Sequence, residues 1–181
     1  DLYNKADVTF LLIDDGSKDS TIDKLNYYFS DLKNFVILEH DSNLNFGGFL
    51  KSSITFATTE YITFLDSDST FDPQLVIPML EIIEKGYDVV NASHLHPKGH
   101  TRNVILWRIL ISRVANTIYR IILGKKVYSF TSIFKMYKLE KIKAIDLELY
   151  GFVAVCELFV KCLLLDAKYY ELPCSLTTRN K

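Results

Sequence analysis

Val8-Thr-Phe-Leu-Leu-Ile-Asp-Asp-Gly-Ser-Lys-Asp-Ser-Thr21 carries the decision about the fold. Val8 to Ile13 is a short apolar run of strand formers, stopped abruptly by Asp14-Asp15-Gly16-Ser17. It reads as a buried strand ending in an acidic turn. Ser17 or Asp19 can cap a helix from Ser20 to about Leu32, and Phe35 to Glu39 reads as the next strand. Further out, the glycine-containing loop Asn43 to Gly48 leads into a helix through Lys51 to Thr58. The strand Tyr61 to Leu65 and a second acidic turn, Asp66-Ser67-Asp68, come next. Pro73 opens a helix to Lys85, Gly86 stops it, and Asp88 to Ala92 supplies another strand. This alternation predicts an α/β fold with a mostly parallel sheet flanked by helices, whose ligands bind beyond the carboxyl ends of the strands. Both acidic turns fall at that edge. Downstream, Val127 to Tyr137 reads as strand, Val153 to Leu165 as helix, and Lys168 to Leu172 as strand before Pro173.

The chain of 181 residues is 49% apolar and 24% charged, which predicts one globular domain with one core. No repeat or interdomain linker interrupts it. Lys and Arg total 21 against 22 Asp and Glu, so a net charge of -1 gives no general pull toward nucleic acid. Cys156, Cys162 and Cys174 show no C-x-x-C spacing, which points to a reducing compartment rather than a disulfide framework. Asp1 to Asp7 is polar and does not read as a signal peptide.

The segment Asn103 to Leu123 is largely apolar but is interrupted by Arg108, Ser112, Arg113, Asn116 and Arg120. Inserting its eleven Val, Leu and Ile residues in a bilayer gains roughly 3 to 7 kcal/mol, whereas the arginines cost roughly 8 to 10. Spanning is disfavoured. At about 100° per residue, Arg102, Arg113 and Arg120 fall on nearly one line, while Leu106, Leu110 and Ile121 point elsewhere. Two readings are open: a basic helix lying on an anionic membrane surface, or a domain helix with solvated arginines.

Two carboxylates at i and i+2 behind a strand, as in Asp66 and Asp68, can converge on Mg²⁺ or Mn²⁺ and leave room for phosphate oxygens. The same residues also make ordinary turns. Asp66-x-Asp68-x-Thr70 further fits the nucleophile motif of a haloacid-dehalogenase-type phosphohydrolase. His94, His96 and His100 invite a zinc reading. No G-x-G-x-x-G or phosphate-loop lysine motif supports a dinucleotide or ATP enzyme.

The strand and DDGS turn of Val8 to Thr21, with Asn43-Leu-Asn-Phe-Gly-Gly-Phe-Leu-Lys51 and Phe64-Leu-Asp-Ser-Asp68, closely resemble family 2 glycosyltransferases of the GT-A nucleotide-sugar fold. Arg108-x3-Ser112-Arg113-x2-Asn116, Phe130-Thr-Ser-Ile-Phe-Lys135, Glu157-Leu158 and Leu172-Pro173 with Arg179 resemble the dolichyl- or polyprenyl-phosphate sugar synthases within that family. The resemblance implies a donor-binding half over residues 1–100 and an acceptor-side half over 101–181. Asp14, Asp15, Gly16, Ser17, Lys51 and Asp66 would bind a nucleoside-diphosphate sugar, and Asp66 and Asp68 would hold Mg²⁺ or Mn²⁺, with Asp68 the most sensitive to loss. Arg108, Ser112 and Arg113 would meet a lipid-phosphate acceptor, and Glu157 would orient groups rather than abstract a proton. The implied place is the cytoplasmic face of a membrane, held peripherally. A polysaccharide acceptor and a non-catalytic nucleotide-sugar-binding module are the alternatives.

The family pattern has Asp where Ser129 stands and usually Arg where His94 stands, so an altered acceptor loop is expected. The resemblance also begins at the family's second strand and ends inside a motif, which marks the chain as an expected fragment.

Overall fold

The computed structural model describes residues 7–68 and 70–178; Arg179 lies outside them. The opening run forms strand β1 (Phe10–Asp14) and leads to helix α1 (Thr21–Phe29). Asp19 serves the start of that helix, its carboxylate accepting the Thr21 backbone N–H at 3.0 Å. Strand β2 (Phe35–Glu39) pairs in parallel with β1, from Phe10 beside Phe35 to Asp14 beside Glu39. Helix α2 (Asn45–Phe56) starts earlier than the sequence suggests. Asn45 takes the left-handed conformation, with φ of 60°, which its short polar side chain tolerates.

Strand β3 (Tyr61–Thr63) is followed by a 3₁₀ turn (Pro73–Leu75), helix α3 (Val76–Ile83), strand β4 (Val89–Ser93) and strand β5 (His100–Arg102). The long helix α4 (Leu106–Leu123) ends at Gly124, whose φ is 62°. Strand β6 (Lys135–Lys138), helices α5 (Leu139–Lys143) and α6 (Val153–Leu164), and strands β7 (Tyr169–Pro173) and β8 (Ser175–Thr177) complete the order.

The central sheet runs β3-β6-β4-β7, while β1-β2 and β5-β8 form parallel pairs. In the central sheet β6 is antiparallel to both β3 and β4, and only β4-β7 is parallel. Side chains alternate between two cores. Val89 and Tyr137 pack with Leu50, Ile54, Ile142, Leu158 and Phe159 of α2, α5 and α6. Val90 and Met136 face Met79 and Ile83 of α3. Strands from residues 1–100 and from residues 101–181 interleave in this one sheet.

Two expectations change. Of Val127 to Tyr137, only Lys135 to Tyr137 is strand; residues 127–134 form an irregular segment whose backbone groups bond to buried side chains instead of a neighbouring strand. Arg102 sits in β5, not on the helix, and the Arg120 guanidinium turns inward over the Tyr128 ring at 5.3 Å. The expected basic line along α4 therefore does not form. The apolar side chains Leu106, Leu110, Val114, Ile118 and Ile121 face outward.

A close approach joins α2 to the loop before α6. Gly47 donates its N–H to the Tyr150 carbonyl at 2.6 Å, and a Cβ there would meet the Leu149 carbonyl oxygen at 2.3 Å and the Tyr150 Cα at 2.7 Å. Gly47→Ala is expected to lower unfolding free energy by about 1 to 3 kcal/mol in denaturant titration. Gly151→Ala, where a Cβ meets nothing within 4 Å, is expected to change it little.

Candidate active site at the carboxyl edge of the sheet

Because β6 runs antiparallel, its first residue, Lys135, lies beside Asn91 of β4, and Met136 lies beside Thr63 of β3. The loops leaving β3, β4 and β7 and the segment entering β6 therefore gather at one edge. This places Asp66 and Asp68, the histidine loop and residues 127–134 together.

The DDGS turn divides its work. Asp14 is buried, and its carboxylate accepts the Ser17 N–H at 2.9 Å and the Ser17 hydroxyl at 2.5 Å, which closes the turn. Gly16 has φ of 76°, and a Cβ there would meet the Ser42 carbonyl carbon at 2.7 Å. Only glycine permits this backbone contact. Asp15 is partly exposed and accepts the His40 Nδ1–H and the Leu44 N–H, each at 2.8 Å. Burial opposes ionisation of Asp15, but the bonds from His40 and from the Leu44 and Asn45 backbone outweigh it and hold the carboxyl below its ordinary value.

Asp68 accepts the Thr70 N–H at 2.9 Å, which shapes the second turn. Half-burial, then the charge of Asp68, pushes the Asp66 carboxyl above its ordinary value. Two neighbouring carboxylates of this kind are hard oxygen donors that would hold a divalent cation, whose charge would relieve their repulsion. Among the described residues no three His, Cys, Asp or Glu side chains converge as a metal site, so Asp14 and Asp15 do not join Asp66 and Asp68 in one cluster. Phe49 of α2 packs on Phe64 at 5.9 Å between ring centroids, which ties α2 to the end of β3. Lys51 on the same helix stands 5.8 Å over the Tyr150 ring.

The irregular segment of residues 127–134 is held from four elements. Asn116 of α4 accepts the Phe130 N–H at 2.5 Å, and the Glu171 carboxylate of β7 accepts the N–H groups of Tyr128 at 2.7 Å and Ser129 at 3.1 Å. Asn91 of β4 donates to the Ser129 carbonyl at 2.7 Å, and Lys135 of β6 donates to the carbonyls of Phe130 and Ser132. Glu171 and Asn91 were not marked by any motif; a carboxylate and an amide inside apolar strand runs were the available signal. Burial raises the Glu171 carboxyl despite its backbone bonds.

The predicted acceptor residues separate. Ser112 turns toward Asn116, whose amide donates to the Ser112 carbonyl at 2.7 Å. Arg108 and Arg113 are exposed, Arg108 lying 5.5 Å over Trp107. Glu157 accepts the N–H groups of Glu148 and Leu149 at 2.8 and 2.9 Å and pairs with Lys161 at 2.8 Å. These contacts commit both its oxygens to holding the loop before α6. The histidines also have separate tasks. Burial, then the Lys135 charge, brings His94 down to about 4. His96 accepts the Lys98 N–H at 3.1 Å and packs on Tyr128, and His100 lies exposed in β5. The zinc reading has no cluster to support it among the described residues.

Residues 2–146 match the model of Glycosyl transferase family 2, and the chain belongs to that family. Polyprenol monophosphomannose synthase of Mycolicibacterium smegmatis is 27% identical over 146 residues, 77% of this chain and 54% of that protein. The uncharacterized glycosyltransferase YkcC of Bacillus subtilis is 28% identical over 97 residues, 54% of this chain and 30% of that protein. The chain thus spans about half or less of the length of these relatives. Among solved structures, glucosyl-3-phosphoglycerate synthase from Mycobacterium tuberculosis, in complex with Mn²⁺, UDP and glucosyl-3-phosphoglycerate, matches with a TM-score of 0.68 at 17% identity, covering 96% of this chain and 61% of that one. A mycobacterial protein gives a TM-score of 0.72 at 16% identity, covering 96% and 57%. The shared fold is GT-A, and the family match leaves the phosphohydrolase reading without support.

Lys135 permits a test of how residues 127–134 are held. It is fully buried, and burial brings its ammonium down to about 8 from an ordinary 10.5. Between those values the unfolded chain binds the proton that the folded chain releases, so folded stability rises with pH across the window. The cost of keeping the charge is fully present below pH about 8. The unfolding free energy of the wild type minus that of Lys135→Met is expected to rise by about 3 kcal/mol from pH 8 to 10.5 in denaturant titrations.

Proposed function

We propose that this chain is the catalytic part of a glycosyltransferase that moves a sugar from a nucleoside-diphosphate sugar to a polyprenyl phosphate at the cytoplasmic face of a membrane. The observation that carries the lipid acceptor is the outward face of α4. At about 100° per residue, Leu106, Leu110, Ile121, Val114, Trp107, Ile118, Ile111 and Ile122 form one stripe about 160° wide. All eight are more than half exposed. Arg108 and Arg113 flank the stripe on its two sides, about 40° and 20° beyond its edges. This is the pattern of a helix lying in a bilayer interface, with its arginines reaching the phosphate layer. From residue 89 to residue 139 the sequence holds nine Lys and Arg and no Asp or Glu, which suits an anionic surface. No helix among the described residues is long and apolar enough to cross a membrane.

In this reading Asp14, Gly16 and Ser17 shape the turn that presents Asp15 to the nucleoside, with Lys51 beside the donor. Asp66 and Asp68 hold Mg²⁺ or Mn²⁺, which when bound neutralises charge on the departing diphosphate. Arg108 and Arg113, exposed on either side of the stripe, offer guanidinium groups to the acceptor phosphate; Ser112 and Asn116 tie their helix to residues 127–134. An acceptor phosphate oxygen forms the new bond to the anomeric carbon as the bond to the nucleoside diphosphate breaks. The acceptor is already ionised near neutral pH, so no strong base is needed. Glu157, with both oxygens engaged, positions the loop beside Lys51 and Tyr150.

The test is a screen of UDP- and GDP-sugars with Mn²⁺ and polyprenyl phosphate, both short-chain in solution and long-chain in vesicles. Asp68→Ala is expected to lower kcat about a hundredfold or more, and Arg108→Ala to raise the acceptor KM about tenfold. Ile111→Asp with Ile118→Asp is expected to abolish transfer to the vesicle-borne acceptor and spare the short one. Transfer to a soluble polysaccharide but not to polyprenyl phosphate overturns the acceptor assignment, and nucleotide-sugar binding without transfer to any acceptor favours the non-catalytic module.

A further inference from the structure

His40 belongs to no motif of the sequence, yet it is buried to 8% exposure at the junction of β2 and the loop leading to α2. Its Nδ1 lies 2.8 Å from Asp15 Oδ1 and its Nε2 lies 2.8 Å from Ser52 Oγ. Its backbone N–H donates to the Asp14 carbonyl at 2.9 Å. One imidazole thus joins the DDGS turn to the helix that carries Lys51. With the proton on Nδ1, the ring donates to the Asp15 carboxylate and accepts the Ser52 hydroxyl at Nε2, and every polar atom of the ring is used. The Leu44 N–H reaches the same Asp15 oxygen from the entry to α2. Asp15 keeps 27% of its side chain exposed, so the carboxylate is fixed from behind while a face of it stays open to solvent.

We infer that His40 is a positioning residue for donor binding, holding Asp15 in the one rotamer that presents it to the nucleoside and setting its distance from Lys51 through Ser52. The inference rests on the donor role proposed for Asp15 and adds the group that determines that residue's geometry. An aspartate free to rotate loses orientation before it loses charge, so the effect falls on donor affinity and not on the chemical step.

The two ring nitrogens can be replaced separately. His40→Asn retains a donor near the Nδ1 position and loses the link to Ser52; His40→Gln retains a group near Nε2 and loses the link to Asp15. Binding of UDP and GDP is measured by calorimetry with Mn²⁺, together with the donor KM and kcat, for the wild type, both His40 variants, Ser52→Ala and Asp15→Asn. Thermal unfolding confirms that each variant is folded. His40→Gln is expected to raise Kd and donor KM about tenfold with kcat changed less than twofold. His40→Asn is expected to remain within about threefold of the wild type, and Ser52→Ala to fall between them. Equal losses in His40→Asn and His40→Gln, or losses that follow thermal stability, reduce His40 to packing and overturn the inference. If Asp15→Asn binds nucleotide as tightly as the wild type, the donor role of Asp15 fails and this inference fails with it. If Asp15→Asn is weakened while His40→Gln is not, only the inference fails.

Discussion

Strand β6 enters the central sheet between β3 and β4 in the opposite sense to both, and that reversal determines which loops can meet. A parallel strand in the same place would deliver residues 127–134 to the far edge. Running backwards, it brings them to the edge that carries Asp66 and Asp68, and the Lys135 carbonyl accepts the Phe64 N–H and the Thr63 hydroxyl, two and three residues before the second acidic turn. The carboxyl edge thereby has two sides, the second acidic turn on one and residues 127–134 on the other.

Those sides differ in charge. The run from residue 89 to 139 is free of carboxylates, and the rest of the chain carries 12 cations against 22 carboxylates, although the whole balances to -1. The segregation gives the molecule a basic stretch and an acidic remainder that the net charge conceals. Residues 127–134 belong to the carboxylate-free run. Their backbone is bonded by Asn91, Asn116, Lys135 and Glu171, and each of these side chains costs desolvation on burial. An irregular segment retains one shape only if its polar groups are satisfied in this way.

Much of this was legible from residue order. The apolar run ending at Asp14, the i, i+2 carboxylates at Asp66 and Asp68, Pro73 before a helix and Gly86 after it are local signals whose physics acts within a few residues. Their elements appear within a few positions of expectation. The strand expected over Val127 to Tyr137 shrank to its last few residues because alternation of apolar residues cannot distinguish a ladder of strand hydrogen bonds from a set of buried side-chain partners. Helix α4 was legible as a helix, but its apolar face turned out to point away from the body, and periodicity has no means of saying which face a neighbour covers.

By itself the sequence determined the acidic turns, the α/β alternation and the membership of the family, since strand propensity, turn chemistry and motif spacing are properties of neighbouring residues. Tertiary structure alone decided that β6 would run antiparallel, that Glu171 and Asn91 would reach across some 40 residues to Tyr128 and Ser129, and that His40 would stand between Asp15 and Ser52. Such contacts depend on how twisted strands and packed helices bring distant backbone together. Their energies arise from burial and hydrogen bonding that exist only once the core has closed.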